Sequence, residues 1–119
     1  MTLPVRRSSQ PDRFGMTSEK HVLDFLQKWY LAQCNGEWEQ IKGVTIETLE
    51  TPGWMVTIDL AETPLENVPM EPVKLELGPN DWIDCQVETQ QFRATGDSSK
   101  LIAILGVFEK WASRAQQVE

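Results

Sequence analysis

Histidine and cysteine are scarce in this chain of 119 residues, and their scarcity limits the chemistry available to it. His21 is the only histidine, while Cys34 and Cys85 stand far apart and form no CxxC or Cys/His spacing. Structural zinc sites take four ligands from cysteine, histidine and carboxylates at characteristic spacings. The sequence therefore predicts no metal centre and no cofactor. It leaves Cys34–His21 or Cys85–His21 as the available catalytic pairs, although buried packing is the more usual state of a free cysteine.

Long apolar runs are also missing. The longest, "LIAILGVF" at residues 101–108, falls far short of the roughly 20 residues that span a bilayer. The start of the chain, "MTLPVRRSSQPDRFG", has basic residues but lacks the apolar core of a secretory signal. We therefore predict no membrane contact and a cytoplasmic location, where thiols stay reduced.

Cations are rare in the middle of the chain. Residues 35–89 contain twelve acidic residues against Lys42 and Lys74, a net charge of −10, whereas the whole chain sums to −7. A protein that binds a phosphate backbone needs clustered lysine and arginine, so no nucleic-acid partner is expected. An acidic middle segment fits either a basic protein partner or simple solubility.

Residues 1–15 differ from the rest of the chain, because they hold Pro4, Pro11 and Gly15 and show no apolar periodicity. This pattern predicts a flexible N-terminal arm. A single domain is expected over residues 16–119, a length typical of one domain. Met16 stands directly before the first helical pattern and could serve as the natural start.

Two segments show the apolar spacing of an amphipathic helix. The first begins near Ser18, a good N-cap, and stops at Asn35-Gly36, because glycine readily takes the left-handed conformation past a helix end. The second is predicted to open at Asp97-Ser98. Their apolar stripes are Val22, Leu23, Phe25, Leu26, Trp29 and Tyr30 in the first helix, and Leu101, Ile104, Leu105, Phe108, Trp111 and Ala112 in the second.

Between the helices, five segments alternate apolar and polar residues with the period of β-strands. They cover residues 44–50, 54–60, 73–78, 81–88 and 91–96. Thr51-Pro52-Gly53-Trp54 predicts a tight turn with Gly53 at positive φ, and the three prolines of residues 61–72 predict a loop. Short connections favour antiparallel neighbours. The expected fold is α+β: an N-terminal helix, an antiparallel sheet of about five strands and a C-terminal helix, with both helices packed on one sheet face.

Strand alternation sorts the side chains onto two faces of the predicted sheet. The residues expected to meet the helices are Trp54, Val56, Ile58, Leu60, Val73, Leu75, Leu77, Ile83, Cys85 and Val87. The opposite face would carry Met55, Thr57, Asp59, Lys74, Glu76, Trp82, Asp84, Gln86 and Glu88. An aromatic side chain such as Trp82 among carboxylates is typical of a protein-binding patch. An antiparallel sheet also often leaves one face simply solvated.

The stretch "WYLAQCNGEWEQ", residues 29–40, bears on the choice between an enzyme and a binding protein. Cys34 lies in the last turn of the first helix, where the negative end of the helix dipole disfavours a thiolate. Glu37 and Glu39 disfavour it further. We therefore predict that Cys34 is a packing residue and that "GEWE" is an acidic, aromatic loop. Trp38 within that loop is either a contact residue or a core residue beneath the first helix.

Three segments, "LQKWYLAQCNGEWE", "GVTIETLETPGWMVTIDLAET" and "DWIDCQVETQQFRATG", together resemble the immunity protein 53 family. The resemblance covers roughly residues 22–112 and leaves residues 1–15 outside. Members are small bacterial proteins found with polymorphic secreted toxins. The resemblance therefore implies a bacterial protein that binds and neutralises a cognate toxin without catalysis. It identifies neither the toxin nor the contact residues.

The acidic middle of the chain suggests how such binding would work. Many secreted toxins of this kind are nucleases with basic substrate-binding surfaces, which an acidic protein can occlude while gaining steered association. Two alternatives stay open: a small cysteine-dependent thiol enzyme using Cys34 or Cys85, and a structural homodimeric interaction module that buries the face carrying Trp82. The candidate partner-binding residues are Glu37, Trp38, Glu39, Asp59, Asp81, Trp82 and Asp84.

Overall fold

The computed structural model describes residues 19–117. The predicted arm at residues 1–15, the predicted cap Ser18 and the alternative start Met16 lie outside this range. The elements in chain order are α1 (Glu19–Gln33), α2 (Trp38–Ile41), β1 (Val44–Leu49), β2 (Gly53–Asp59), β3 (Val73–Gly78), β4 (Asp81–Glu88), β5 (Gln91–Asp97) and α3 (Leu101–Gln117). The predicted α+β order is confirmed, and each predicted strand boundary lies within one residue of the observed one. The short helix α2 is an addition that the sequence pattern did not predict.

The five strands form one antiparallel sheet in the order β1-β2-β5-β4-β3. Strand β5 is central, and residues 60–72 carry the chain from β2 to the opposite edge of the sheet. This connection packs against the core, with Leu60 and Leu65 fully buried. The Trp111 indole N–H of α3 donates a hydrogen bond to the carbonyl of Pro69 at 2.9 Å. The predicted loop is therefore a fixed part of the domain.

Both long helices pack on the same face of the sheet, called the inner face below. Its centre is the ring of Phe108 in α3, whose centroid lies 5.2 Å from that of Phe92 and 5.3 Å from that of Trp29. Phe25 and Trp111 contact the same ring at 6.2 and 6.1 Å. Tilted and edge-to-face aromatic pairs at these separations are favourable beyond their buried area. This aromatic cluster joins α1, α3 and β5 into one core.

The turn between β1 and β2 differs from the prediction. Gly53 is the first residue of β2, and it does not take a positive φ; Gly36 does, at +95° after α1, as predicted. A Cβ atom on Gly53 would come within 2.6 Å of the carbonyl oxygen of Gly96. Glycine is needed at position 53 for close approach of β2 to β5, rather than for a left-handed turn.

The prediction that Leu75 and Leu77 meet the helices was wrong. Their side chains lie at the β3 edge and are 55% and 73% exposed, whereas Val73 on the same strand packs against the core. Helix α3 packs chiefly over β5 and β4. Alternation assigns the correct sheet face, but it does not say how far a helix extends across that face.

The second long helix begins later than predicted. Strand β5 continues to Asp97, and α3 starts at Leu101. The carboxylate of Asp97 accepts hydrogen bonds from the backbone N–H of Ser99 at 2.8 Å and from the hydroxyl of Ser99 at 2.6 Å. Asp97, the last residue of β5, therefore fixes the turn that leads into α3 through side-chain hydrogen bonds to Ser99.

Candidate functional site: the outer face of the sheet

The second face of the sheet, called the outer face below, lies opposite the helices of the described chain. The strand registers place polar and charged side chains on it, in rows that cross from β1 to β3. These residues are Thr45, Glu47, Met55, Thr57, Asp59, Arg93, Thr95, Trp82, Asp84, Gln86, Glu88, Lys74 and Glu76. Five carboxylates and two cations, Arg93 and Lys74, belong to this set.

A shallow depression occupies the middle of the outer face, between β2, β5 and β4. Arg93 and Thr95 line it from β5, and Asp84, Gln86 and Glu88 line it from β4. Arg93 makes no salt bridge with any residue in the 19–117 range. Arginine is enriched at the centres of protein interfaces. A guanidinium without an ion pair on an otherwise acidic face is therefore a candidate contact group.

Sequence reasoning missed Arg93. The signal was present, because Phe92 and Ala94 alternate with Gln91, Arg93 and Thr95 in the fifth strand segment. What the sequence did not show is that this strand is central in the sheet, which puts Arg93 in the middle of the face.

The seven predicted contact residues do not form one patch. Asp59 pairs with Gln91 at one end of the sheet, whereas Trp82 lies beside Asp97 at the other end. Six residue steps of β5 separate these ends, which is about 20 Å at 3.3–3.4 Å per residue. The Glu37–Glu39 segment belongs to the Asp59 end, because α2 leads into Gly43, whose N–H donates to Asp59 at 2.9 Å.

Two of the predicted acids hold backbone turns. Glu39 accepts hydrogen bonds from the N–H groups of Asn35 at 3.0 Å and Gly36 at 2.8 Å. Backbone hydrogen bonds, first that of Glu39 itself and then those of Asn35 and Gly36, lower the pKa of Glu39. Asp59 accepts from Gly43 and, at 2.8 Å, from the side-chain amide of Gln91. Both carboxylates are oriented by the fold and are only partly exposed.

At the other end of the sheet, Asp81 shares a cation with a buried carboxylate. The ammonium of Lys100 lies 2.9 Å from Asp81 and 2.7 Å from Asp97. Asp97 also accepts the backbone N–H of Trp82 at 2.8 Å. Hydrogen bonds from Lys100 and then Ser99 hold the pKa of Asp97 well below its usual range. Asp81 therefore shares its cation with Asp97, and the three groups together keep one negative charge.

Trp82 and Asp84 remain on the accessible outer face. Trp82 is half-buried and pairs with Glu76 across the strands, so part of its side chain stays accessible. Asp84 is likewise half-buried, and its nearest cation, the ammonium of Lys74, lies at 3.8 Å. Glu37, at the opposite end, is exposed.

Trp38 is a core residue. It is 3% exposed, its indole N–H donates to the carbonyl of Ala61 at 3.0 Å, and its ring meets that of Trp29 edge to face at 6.1 Å. Of the two interpretations of Trp38, the structure supports packing beneath the first helix. A partner could not touch this side chain without local opening, so it is not a surface anchor.

Cys85 is fully buried on the inner face of β4. Burial, with a smaller contribution from Asp84, raises the pKa of its thiol to about 12. The thiol is therefore protonated at neutral pH, and the nucleophilic form is the thiolate. Cys85 is a packing residue.

Cys34 follows α1, and its thiol donates to the carbonyl of Tyr30 at 3.4 Å. His21 lies near the other end of the same helix, where it contacts the carboxylate of Glu109 at 3.2 Å. Thirteen residues of helix correspond to about 20 Å. The structure therefore does not assemble the Cys34–His21 pair that a thiol enzyme would need.

Two further observations concern ligands and membranes. Among residues 19–117, no group of three or more histidine, cysteine, aspartate or glutamate side chains is arranged to hold a metal ion. No helix in this part of the chain is long and apolar enough to cross a bilayer.

Comparison with known proteins identifies the family. The model of the family described as immunity protein 53 matches residues 23–113, which include α2, all five strands and most of both long helices. No curated protein matches the chain, and no solved structure matches it. The matched range covers most of the chain, and the chain therefore belongs to the immunity protein 53 family.

Proposed function

We propose that this protein is the immunity component of a bacterial polymorphic toxin system. It binds a cognate secreted toxin in the cytoplasm of the producing cell and blocks it without catalysis. Family membership over residues 23–113 is the observation that carries this proposal. The buried Cys85 and the separation of Cys34 from His21 support binding rather than thiol chemistry.

The outer face of the sheet is the surface we propose for the toxin, centred on Trp82, Asp84 and Arg93. These side chains are each half-buried, so the sheet restricts their freedom before a partner arrives while part of each stays accessible. Preorganised aromatic and arginine side chains are the groups that most often dominate binding energy. The register places Asp84 between Trp82 and the Arg93 depression, which makes the three parts of one surface.

The chemistry of the surface selects the kind of toxin. Asp84 at the centre and Glu47 and Glu88 farther out supply negative charge to the face, and the whole chain carries −7. Such a field attracts a basic surface and raises the association rate at low salt. A nuclease, whose substrate groove is basic, is the class of toxin that fits best. Occlusion of that groove would exclude nucleic acid.

The test begins with the gene neighbouring this one upstream. A large secreted protein with a C-terminal toxin domain is expected there. Cells that produce the toxin domain alone should stop growing, and co-production of this protein should restore growth. The purified toxin domain and the purified protein should also form a stable complex.

Two controls sharpen that experiment. An unrelated acidic protein of similar charge should not restore growth, since specificity requires more than charge. A toxin domain inactivated at its catalytic residue should still bind. Absence of any complex with the neighbouring toxin, in cells and in vitro, would contradict the immunity proposal.

A further inference from the structure

The β3 edge of the sheet exposes apolar side chains next to backbone groups that no strand of the described chain pairs. Leu75 and Leu77 are 55% and 73% exposed, and Leu75 lies on the inner-face side opposite Ile83. Among residues 19–117, β3 pairs with β4 alone. Exposed edge strands with large apolar residues tend to pair with another chain unless charge or cover prevents it. The polar side chains of the same strand are Lys74 and Glu76, one of each sign.

This strand is complementary to itself. In an antiparallel pair related by a two-fold axis perpendicular to the sheet at Leu75, each Leu75 faces the partner's Leu75. Lys74 faces the partner's Glu76 on the outer face, and Val73 faces the partner's Leu77 on the inner face. We propose that β3 pairs in this register with β3 of a second copy, so that the two sheets become continuous. Such a self-complementary interface has the symmetry of most homodimers.

Other registers are excluded by charge and by side-chain direction. Centring the two-fold axis on Lys74 would place Lys74 opposite the partner's Lys74. Centring it on Glu76 would place Glu76 opposite the partner's Glu76, and like charges directly opposite each other are destabilising. A shift by one residue would set inner-face leucines against outer-face charges. The register centred on Leu75 is the one that pairs opposite charges and buries the leucines.

The other edge of the sheet lacks this complementarity. Strand β1 carries Glu47 as its only charged residue, so self-pairing there brings together no opposite charges. Its exposed apolar residue, Ile46, is 41% exposed, less than either Leu75 or Leu77. The contrast between the two edges favours β3 as the contact between copies.

The surroundings of Lys74 agree with the proposal. Its side chain is 70% exposed, and its ammonium lies 3.8 Å from Asp84 of the same chain, a long and weak contact. In the paired sheet, Lys74 would lie between Asp84 and the partner's Glu76. The register shift between Glu76 and Gly78 limits the regular part of β3 to four residues, 73–76, so the Val73–Leu77 contacts fall at the irregular end. The interface is therefore smaller than a standard protein–protein interface, and we expect a weak dimer that dissociates at micromolar concentrations.

The experiment measures solution mass by sedimentation equilibrium between about 1 and 500 µM, without toxin. The parent mass should rise from that of one chain, 13.6 kDa, towards twice that value. Lys74→Glu and Glu76→Lys each convert two opposite-charge pairs into like-charge pairs. Each variant alone should weaken the dimer by about tenfold or more.

Mixing the two single variants provides the decisive comparison. In a heterodimer of Lys74→Glu with Glu76→Lys, both cross-strand pairs again have opposite charges, so the mixture should dimerise about tenfold or more tightly than either variant alone. The double variant carrying both substitutions should also dimerise, although the glutamate introduced at position 74 then faces Asp84 of its own chain. Restoration in both cases separates the contact between copies from the internal Lys74–Asp84 contact. Lys28→Glu is the matched control, since Lys28 is 74% exposed beside Asp24 on α1, and it should leave the dimer unchanged.

Three results would overturn the proposal. The first is a parent protein that stays monomeric up to 500 µM. The second is a dimer that neither single variant weakens, which would place the contact elsewhere. The third is a pair of folded single variants whose mixture stays monomeric. None of these results bears on toxin binding, because no toxin is present in the experiment.

Discussion

The inner and outer faces of the sheet are built from alternate residues of the same strands, yet they differ in polarity, in burial and in coverage by the helices. On β5, Phe92 and Ala94 point inward and are buried, while Arg93 and Thr95 point outward and are half-buried. Two helices cover the inner face, and the outer face lies opposite them. The difference implies that substitutions on the inner face should change mainly stability, whereas substitutions on the outer face should change mainly recognition.

Truncation at the centre of the inner face should have the largest effect. Phe108 is 1% exposed and lies among Phe25, Trp29, Phe92 and Trp111. Phe108→Ala should lower the free energy of unfolding by about 3–5 kcal/mol, since it removes buried area and leaves a cavity. Urea denaturation followed by tryptophan fluorescence measures this change.

The matched control for Phe108→Ala lies on the outer face. Thr95→Ala should change the free energy of unfolding by less than about 1 kcal/mol. If both variants lost the same free energy of unfolding, the outer face would contribute to stability as much as the inner face does.

Replacement of Asp97 should have the next largest effect, because this residue ties the end of β5 to the start of β4 and to α3. Asp97→Asn keeps the shape but loses the negative charge that pairs with Lys100 and that strengthens the hydrogen bonds from Ser99. The melting temperature at pH 7 should fall by several degrees. Circular dichroism at increasing temperature measures it.

The pH dependence of this variant gives a second test. The pKa of Asp97 is lowered from its ordinary value of 3.8, so its stabilisation is complete above that value and is lost as the pH falls below it. The stability difference between the parent and Asp97→Asn should therefore be constant from pH 7 to about pH 5 and shrink in stronger acid. A difference that grows in acid would contradict the assignment.

Replacement of both cysteines should have a smaller effect. The double variant Cys34→Ala/Cys85→Ala should still protect cells from the toxin, because neither thiol lies in a catalytic arrangement. It should lose about 1 kcal/mol of stability, mainly from the small cavity at Cys85. Alanine is the better choice at position 85, since serine would bury a hydroxyl there. If the double variant folds well but no longer protects cells, the result would support the alternative of a cysteine-dependent enzyme.

Replacement of Arg93 should have the smallest effect on stability. Arg93→Gln should change the free energy of unfolding by less than about 1 kcal/mol, because the guanidinium makes no salt bridge among residues 19–117 and the glutamine stem retains part of its packing. Affinity for the toxin should nevertheless fall, by tenfold or more if Arg93 is a central contact. Calorimetric titration of the variant with the toxin domain measures the second effect. If the variant lost stability but kept its affinity for the toxin, Arg93 would stabilise the fold rather than bind the toxin.

The sequence predicted the fold well because period-two alternation and turn residues act locally. The strands at residues 73–78 and 81–88, for example, have the bounds that the pattern gives. The sequence predicted the site less well, because site geometry depends on strand order. Asp59 and Trp82 share the outer-face parity but lie at opposite ends of the sheet.

Burial was the other quantity that local pattern did not determine. Trp38 lies in an acidic, polar stretch, yet the short helix α2 turns its ring beneath α1. Leu75 has inward parity but lies at an edge that the helices leave uncovered. In both cases a tertiary arrangement, the path of α2 or the reach of α3, decides exposure.

Binding kinetics on the toxin from the neighbouring gene test the central claim, that the outer face is the toxin-binding surface, most directly. Trp82→Ala should raise the dissociation rate by roughly 30-fold, the equivalent of about 2 kcal/mol. Asp84→Lys should slow association, and the association rate of the parent should fall as salt rises. Asp24→Lys, a charge reversal in an exposed ion pair on α1, should change both rates far less than the outer-face variants do. If Trp82→Ala and Asp84→Lys fold and bind like the parent, the outer face is not the binding surface, and the exposed Glu37 at the opposite end is the next position to test.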